Sequence, residues 1–320
     1  MSNKKCTILM CAYNAEKYIY DAIHSCYTSD EDSLFELIIV DDCSSDNTNK
    51  IIQDYIEKEC RKILVIKNNT NIGLTKSLNI AIDYVKTDLM ARLDADDQNA
   101  YQRIKRQVEV MEKDQSLFCC SSDAFLINDN GDLCKKTKFP KIKSNISDYL
   151  LNYGNPFIHS SLMFRVEKLI EIGKYSPEFS FRQDYELLIR SLKYNLKIKH
   201  LNKPLIHHRV SSISISSNSS ALIYGELIRF YMFTQKQSLD KSLSFNSVKK
   251  KYFKNRSLLM EEVLLNERRI SVLKNNFISK SRFGYLNNFL FELLIRAILY
   301  FLVYPFKPYL VKLLRKKLNH

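Results

Sequence analysis

The 320-residue chain lacks most of the short signatures that assign a protein at a glance. It contains neither GxGxxG nor GxxxxGKS/T, which argues against a dinucleotide-binding Rossmann site and against a P-loop kinase. Its eight cysteines all fall between Cys6 and Cys134, with no CxxC pair and no His/Cys metal-ligand spacing. A disulfide framework belongs to short secreted chains, so free thiols in a reducing compartment are expected. Met1 to Lys5 is polar and Thr7–Ala12 is too short for the apolar region of a signal peptide, which leaves the active part in the cytoplasm. No apolar run matches the roughly 20 uncharged residues of a spanning helix. The most apolar stretch, FLFELLIRAILYFLVY at 289–304, has 16 residues and includes Glu292 and Arg296.

What is present is a globular composition, 45% apolar and 26% charged, on a chain long enough for one large domain or a domain with an appendage. The net charge of +14 would suggest nucleic acid if it were spread evenly. It is not: residues 241–320 hold 17 Lys/Arg against 4 Asp/Glu, a balance of +13 that leaves about +1 for the first 240 residues. The expected division is therefore a near-neutral domain at 1–220 and a helical, basic extension at 221–320. Within the extension, Glu292 and Arg296 form an i,i+4 pair on one polar face. Pro305 then interrupts the run before YLVKLLRKKLNH. Apolar and basic residues mixed in this way fit helices lying among anionic headgroups, on the inner face of the cell membrane. A helical hairpin packed on protein is the alternative. Phosphate-backbone binding would bring steep salt dependence; the long apolar runs favour lipid, and no nucleic-acid partner is expected.

The first 130 residues alternate regularly. Strands are expected at Thr7–Ala12, Phe35–Val40, Ile63–Lys67 and Leu89–Leu93, with helices at Ala15–Thr28, Thr48 to about Lys58, and Leu74–Lys86. This spacing predicts βαβ units and a mostly parallel α/β sheet flanked by helices. Right-handed crossovers put the loops after successive strands along one edge, where open α/β sheets bind ligands. Those loops read YNAE, DDCSSDNT, NNTNIG and DADD. The segment 133–215 mixes strand-like and helix-like stretches and completes the same domain.

The fourth loop concentrates charge: MARLDADD, positions 90–97, has Asp94, Asp96 and Asp97 within four residues. Like charges so close suit a hard divalent cation, Mg²⁺ or Mn²⁺, which takes oxygen ligands and shares its shell with a substrate diphosphate. Alternatively the aspartates cap a helix beginning near Tyr101. Arg92, two residues before Asp94 on the same strand face, can touch the aspartates or the phosphates.

Four ordered blocks, MCAYNAEKYI (10–19), IIVDDCSSDNT (38–48), NTNIGLTKSLN (69–79) and MARLDADD (90–97), resemble the signature blocks of family 2 glycosyltransferases over roughly residues 5–215. The resemblance implies a GT-A fold, a nucleotide-sugar donor and a divalent metal. It places Ala12, Tyr13 and Asn14 along the nucleobase. Asp42 becomes a hydrogen-bond acceptor that favours uracil, with Asp41 a second polar contact or only a strand-end carboxylate. Asn71 and Gly73 lie beside the nucleoside, and Lys76 is either a diphosphate neighbour or a solvated helix lysine. Asp94 falls near ribose or donor sugar, and Asp96 on the metal; Asp97 joins the metal shell or a cap. FRQDYELLIR (181–190) resembles the family's acidic motif that supplies the catalytic base, which would be Asp184. Gln183 stands where the family more often has glutamate, and an N-cap on Tyr185–Lys193 is the structural alternative for Asp184. NPFIHSSLMFR (155–165) resembles an acceptor-side segment, with His159 lining the site. HHRVSSISIS (207–216) resembles a loop over the diphosphate, with Arg209 suited to a phosphate fork and His207 or His208 within reach of the metal. The implied activity is inverting, metal-dependent transfer of a sugar from a UDP-sugar to a glycan or lipid-linked acceptor in surface-polysaccharide biosynthesis. A non-catalytic sugar-nucleotide or glycan-binding module of the same fold is the alternative, and a nucleotidyltransferase fits the third block and FRQDYELLIR less well.

Overall fold

Apolar residues on both faces of a strand require cover on both sides, and the first strands show it. β1 (Cys6–Ala12) is buried at every position, and β2 (Phe35–Asp41) at all but Glu36. The computed structural model describes residues 4–137, 145–152 and 154–210. The expectations for 211–216, 221–320 and the apolar run 289–304 lie outside the described residues.

Side chains alternate across the sheet. One face of β1 and β2 (Ile8, Met10, Ala12, Leu37, Ile39) joins a core with α1 (Ile19–Ser29), α2 (Thr48–Glu59) and α4 (Arg103–Lys113), through Ile23, Ile52 and Ile104 among others. Leu9, Ile38 and Val40 between them are equally buried. They lie toward α3 (Leu74–Ile82), which packs on both strands. The sheet runs β3-β2-β1-β4-β8-β6-β9-β5, with β3 (Ile63–Lys67), β4 (Leu89–Asp94), β5 (Gln98–Asn99), β6 (Leu117–Ile127), β8 (Met163–Arg165) and β9 (Lys197–Arg209); β7 (Leu133–Lys136) pairs with β6. β1 to β4, β6 and β9 except the inserted β8 run one way, since β8 is antiparallel to both β4 and β6 while β6 and β9 are parallel. The expected mostly parallel α/β sheet is what forms. The rest of the domain consists of α5 (Ile146–Asn152), a 3-10 turn at His159–Ser161, α6 (Val166–Glu171) and α7 (Gln183–Lys193).

Three element boundaries differ from expectation for identifiable reasons. α1 begins at Ile19, not Ala15, because the preceding residues are tied to the loop after β2. The Ala15 and Glu16 N–H groups donate to Thr48 Oγ1 (2.7 Å) and Asp46 Oδ2 (3.0 Å), and Asn14 is left-handed. α3 closes at Ile82 because its last turn tightens into i to i+3 bonds at Asp83, Tyr84 and Val85. α4 begins at Arg103 and is not capped by the aspartates after β4. Its Ile104 and Lys105 N–H groups donate to Asp30 Oδ2 (2.9 Å) and Oδ1 (3.0 Å), a carboxylate brought in from the end of α1. All eight cysteines are free, as expected, and burial pushes the Cys6, Cys11, Cys26 and Cys120 thiols up to about 12. No helix of the described residues is long and apolar enough to cross a membrane.

Capping by Asp30 makes a direct prediction. Asp30→Ala should cost about 1 kcal/mol of stability, the usual loss for a helix cap, in urea unfolding. Nucleotide affinity should be unchanged, because Asp30 lies away from the strand ends.

Candidate active site

The strand registers align Ala12 with Asp41, Asp41 with Lys67, and Cys11 with Asp94, so the loops after β1 to β4 open on one edge. Each loop is shaped by side chains from the next. Asn14 Oδ1 accepts the Ser45 N–H (2.9 Å) and its own N–H donates to Ser44 Oγ (3.0 Å). Asp42, almost fully buried, accepts from Asn68 Nδ2 (2.7 Å) and from the Ile72 (3.0 Å) and Gly73 (2.8 Å) N–H groups. Gly73 has φ +85°, a conformation side chains rarely adopt, which lets its N–H turn toward that carboxylate. Asp41 Oδ1 accepts the Ser44 N–H (2.9 Å), while its buried Oδ2 has no partner among the described residues. Ala12 forms the buried floor, and Tyr13, Asn14, Asn71 and Lys76 are exposed around it.

The three clustered aspartates meet three different fates. Asp94 is bonded to the fully buried guanidinium of Arg92 and accepts from Ser160 Oγ (2.6 Å). Burial pushes its carboxyl up, but Arg92 and the other neighbours outweigh this and hold it at about 2. Asp97 is fully buried and faces β9, accepting from the Arg209 N–H (2.8 Å) and lying 3.0 Å from His208 Nδ1. Asp96 is exposed, and no side chain of the described residues bonds its carboxylate. Partial burial and then the charges of Asp97 and Asp94 push it up to about 7. A cation there would relieve that repulsion. Among the described residues no three His, Cys, Asp or Glu side chains gather into a metal shell. A single open carboxylate nevertheless fits Mg²⁺ or Mn²⁺, which completes its shell from diphosphate oxygens and water.

Beneath the turn, Arg92 donates to the carbonyls of Leu9 (3.1 Å) and Leu93 as well as to Asp94, so it supports the site and does not reach a ligand. Arg209 is also engaged. Its Nε donates to the Asp96 carbonyl (3.0 Å), Nη1 donates to the Asn128 carbonyl (2.6 Å), and its guanidinium stacks 4.3 Å from the Tyr18 ring. His207 stacks on Phe125 and lies away from the aspartates, whereas His208 lies against Asp97.

Asp184 sits in the first turn of α7 but is not its cap, since Arg182 occupies that position. Its Oδ2 accepts from Asn155 Nδ2 (2.6 Å). His159 Nε2 meets Tyr175 OH (2.8 Å), and the charges of Asp184 and Asp94 both act on its ring. Burial and the Arg92 charge push His159 down to about 4, so its ring is neutral. The fold thus brings Asp94, Asp96, His159 and Asp184 to one region. It also supplies Asn155, Ser160 and Tyr175, which sequence reasoning missed. The resemblance of NPFIHSSLMFR to an acceptor-side segment marked the stretch that holds Asn155 and Ser160, but it singled out His159 alone.

A parallel half-sheet with acidic nucleotide-sized loops at its carboxyl edge, continued by a mixed half-sheet, defines the GT-A class of fold. *Staphylococcus aureus* TarS residues 1–349, solved with UDP-GlcNAc, aligns with a TM-score of 0.58 at 18% identity, over 76% of this chain and 69% of that one. The chain belongs to glycosyl transferase family 2, whose profile matches residues 7–173, and it is a glycosyltransferase. Two relatives come from *Escherichia coli*. The O-antigen biosynthesis glycosyltransferase WbnJ is 29% identical over 247 residues, 74% of this chain and 92% of its own. The UDP-Glc:alpha-D-GlcNAc-diphosphoundecaprenol beta-1,3-glucosyltransferase WfaP is 27% identical over 225 residues, 70% and 82%.

The His208–Asp97 pair predicts a pH effect on stability. Burial pushes the His208 ring down, but the Asp97 hydrogen bond and the aspartate charges more than reverse this, to about 9. A histidine raised on folding stabilises fully below its ordinary value near 6.5 and loses that contribution as pH rises through about 9. In EDTA, thermal stability should therefore decline from pH 6.5 to 9 by roughly 1 kcal/mol, for a pair still partly open to water. His208→Gln should flatten that decline.

Proposed function

We propose that this glycosyltransferase moves one sugar, with inversion, from a UDP-sugar to a hydroxyl of a glycan or lipid-linked acceptor in surface-polysaccharide assembly, with Mn²⁺ or Mg²⁺ held at Asp96. The observation that carries the reading is the division of labour after β4. Two of three clustered carboxylates are occupied by protein partners, and the third is left open at the edge where the nucleotide loops converge. The names of WbnJ and WfaP and the UDP-GlcNAc complex of TarS support the substrate classes.

In this reading the uracil lies over Ala12, Tyr13 and Asn14. Its N3–H is directed to Asp42, whose Oδ2 accepts one protein N–H, from Gly73, and keeps a second lone pair. Asn71 and Gly73 border the nucleoside and Lys76 the diphosphate. Asp94, held ionised by Arg92, faces the ribose or donor sugar. Asp184 accepts the acceptor hydroxyl proton while that oxygen forms its bond to C1. The C1–O bond to the diphosphate breaks in the same displacement, with the electron pair leaving on UDP, so the anomeric centre inverts. When bound, the divalent ion offsets the charge building on the departing diphosphate. His159, neutral, lines the acceptor side. The basic, apolar segment at 289–320 is the proposed contact with the inner face of the cell membrane, where a lipid-linked acceptor would be presented.

Calorimetry with UDP, GDP, CDP and dTDP, each with Mn²⁺ and with EDTA, tests the donor site. UDP should bind in a metal-dependent way, and Asp96→Asn should abolish the metal dependence. Binding that ignores both metal and Asp96 would remove the main support. Asp184→Asn should keep UDP affinity and lower transfer by about 10²-fold or more, as expected for loss of a positioned base. A wild-type protein that binds UDP-sugars but transfers to no acceptor would instead be the binding module.

A further inference from the structure

Asp94 ends β4, whereas Asp184 begins α7 some ninety residues later, and no hydrogen bond among the described residues joins them directly. One short segment touches both. Ser160 Oγ donates to Asp94 Oδ2 (2.6 Å) and accepts the Asp94 N–H (3.1 Å), while Asn155 Nδ2 donates to Asp184 Oδ2 (2.6 Å). We propose that Asn155–Ser160 is a strap fixing the donor-side carboxylate and the base relative to each other, with Asn155 and Ser160 as positioning residues. The inference rests on reading Asp184 as the base.

The strap is stiffened along its length and braced from behind. Asn155 Oδ1 accepts the Phe157 N–H (3.0 Å), closing a turn at one end. His159 is pinned by Tyr175 OH, and Ser161 Oγ donates to the Ile158 carbonyl (2.7 Å). Behind it, Gln107 Nε2 donates to the Ser161 carbonyl (2.8 Å), Arg103 Nε donates to Gln107 Oε1 (3.1 Å), and Arg103 Nη2 donates to the Arg92 carbonyl (2.6 Å). Arg103, Gln107, Ser160 and Ser161 are all fully buried, so none can touch a substrate; Ser160 acts only through Asp94. At the other end, the Asn155 amide takes up one oxygen of Asp184 and leaves Oδ1 without a protein partner among the described residues, where an acceptor hydroxyl can approach. Such placement matters because misplacing a reacting group by about 1 Å can lower a rate by about 10²-fold.

Asn155→Asp is the informative variant. It keeps the oxygen that accepts the Phe157 N–H, so the turn survives, but it has no N–H for Asp184. Transfer kcat should fall by about 10²-fold with Mn²⁺-dependent UDP affinity unchanged, and Tm should fall as well because the new carboxylate repels Asp184. Asn155→Ser, whose hydroxyl can accept from Phe157 and donate to Asp184, should retain more activity than Asn155→Ala, a comparison that holds even if the Asp variant folds poorly. Ser160→Ala should weaken UDP binding, and combined with Asn155→Ala it should lower kcat by less than the product of the single effects. If Asn155→Asp transfers at the wild-type rate while Asp184→Asn does not, the strap is overturned and the base reading stands. Equal rates for Asn155→Ser and Asn155→Ala would also overturn it. If Asp184→Asn itself transfers normally, the base reading and the strap fall together.

Discussion

Three carboxylates within four residues repel one another, and the way that repulsion is resolved at the end of β4 organises the rest of the site. Arg92 enters from the buried interior and takes Asp94; His208 and the backbone of Arg209 come from β9 and take Asp97. What remains is Asp96, exposed at the carboxyl edge with no side-chain partner among the described residues. The fully buried guanidinium is partnered through its Nη atoms, which donate to two main-chain carbonyls and a carboxylate, while its Nε has no partner among the described residues. Removing Asp94 would leave that charge buried and uncompensated, so Asp94 and Arg92 depend on each other for stability before either serves a substrate.

The same polar layer ties the two halves of the domain together. The parallel half, β1 to β4, carries the polar loops at the carboxyl edge, and the rest of the domain carries His159 and Asp184. They are joined at β8, which is antiparallel to both β4 and β6. A sheet seam alone would leave the relative position of two active-site carboxylates to strand geometry. The side chains of Arg103 and Gln107 add a buried bridge from α4 to the strand and to the turn at His159–Ser161. Buried networks of this kind are costly if partly satisfied and specify one arrangement when satisfied.

Much of the first half was legible from pattern. β1, β2 and β4 were readable because strands covered on both faces are continuous apolar runs, the edge strand β3 because Ile63–Ile66 is apolar although none of it is fully buried, and α2 because its apolar spacing is regular and its start follows a polar loop. The register of those strands then forces their loops onto one edge, so Tyr13, Asn14, Asp42, Asn71 and Gly73 had to gather there. The first turns of α1 and α4 were misplaced because their hydrogen-bond partners are remote in sequence. Thr48 and Asp46 hold the entry to α1, and Asp30 caps α4 across more than seventy residues. No local propensity contains that information.

The sequence by itself determined the parallel half-sheet, the acidic turn at 94–97 and the concentration of positive charge after residue 240, because each follows from local periodicity, spacing or charge. Tertiary structure decided what each polar residue does. Arg209 and Arg92 look alike as phosphate ligands in sequence, yet one is engaged by main-chain carbonyls and the other lies beneath the floor. Asp94, Asp96 and Asp97 are chemically identical and adjacent, yet only the fold assigns one to Arg92, one to β9 and one to open solvent. The reason is physical: the role of a charged side chain is set by the partners and the burial it meets, and those come from strands and helices far away along the chain.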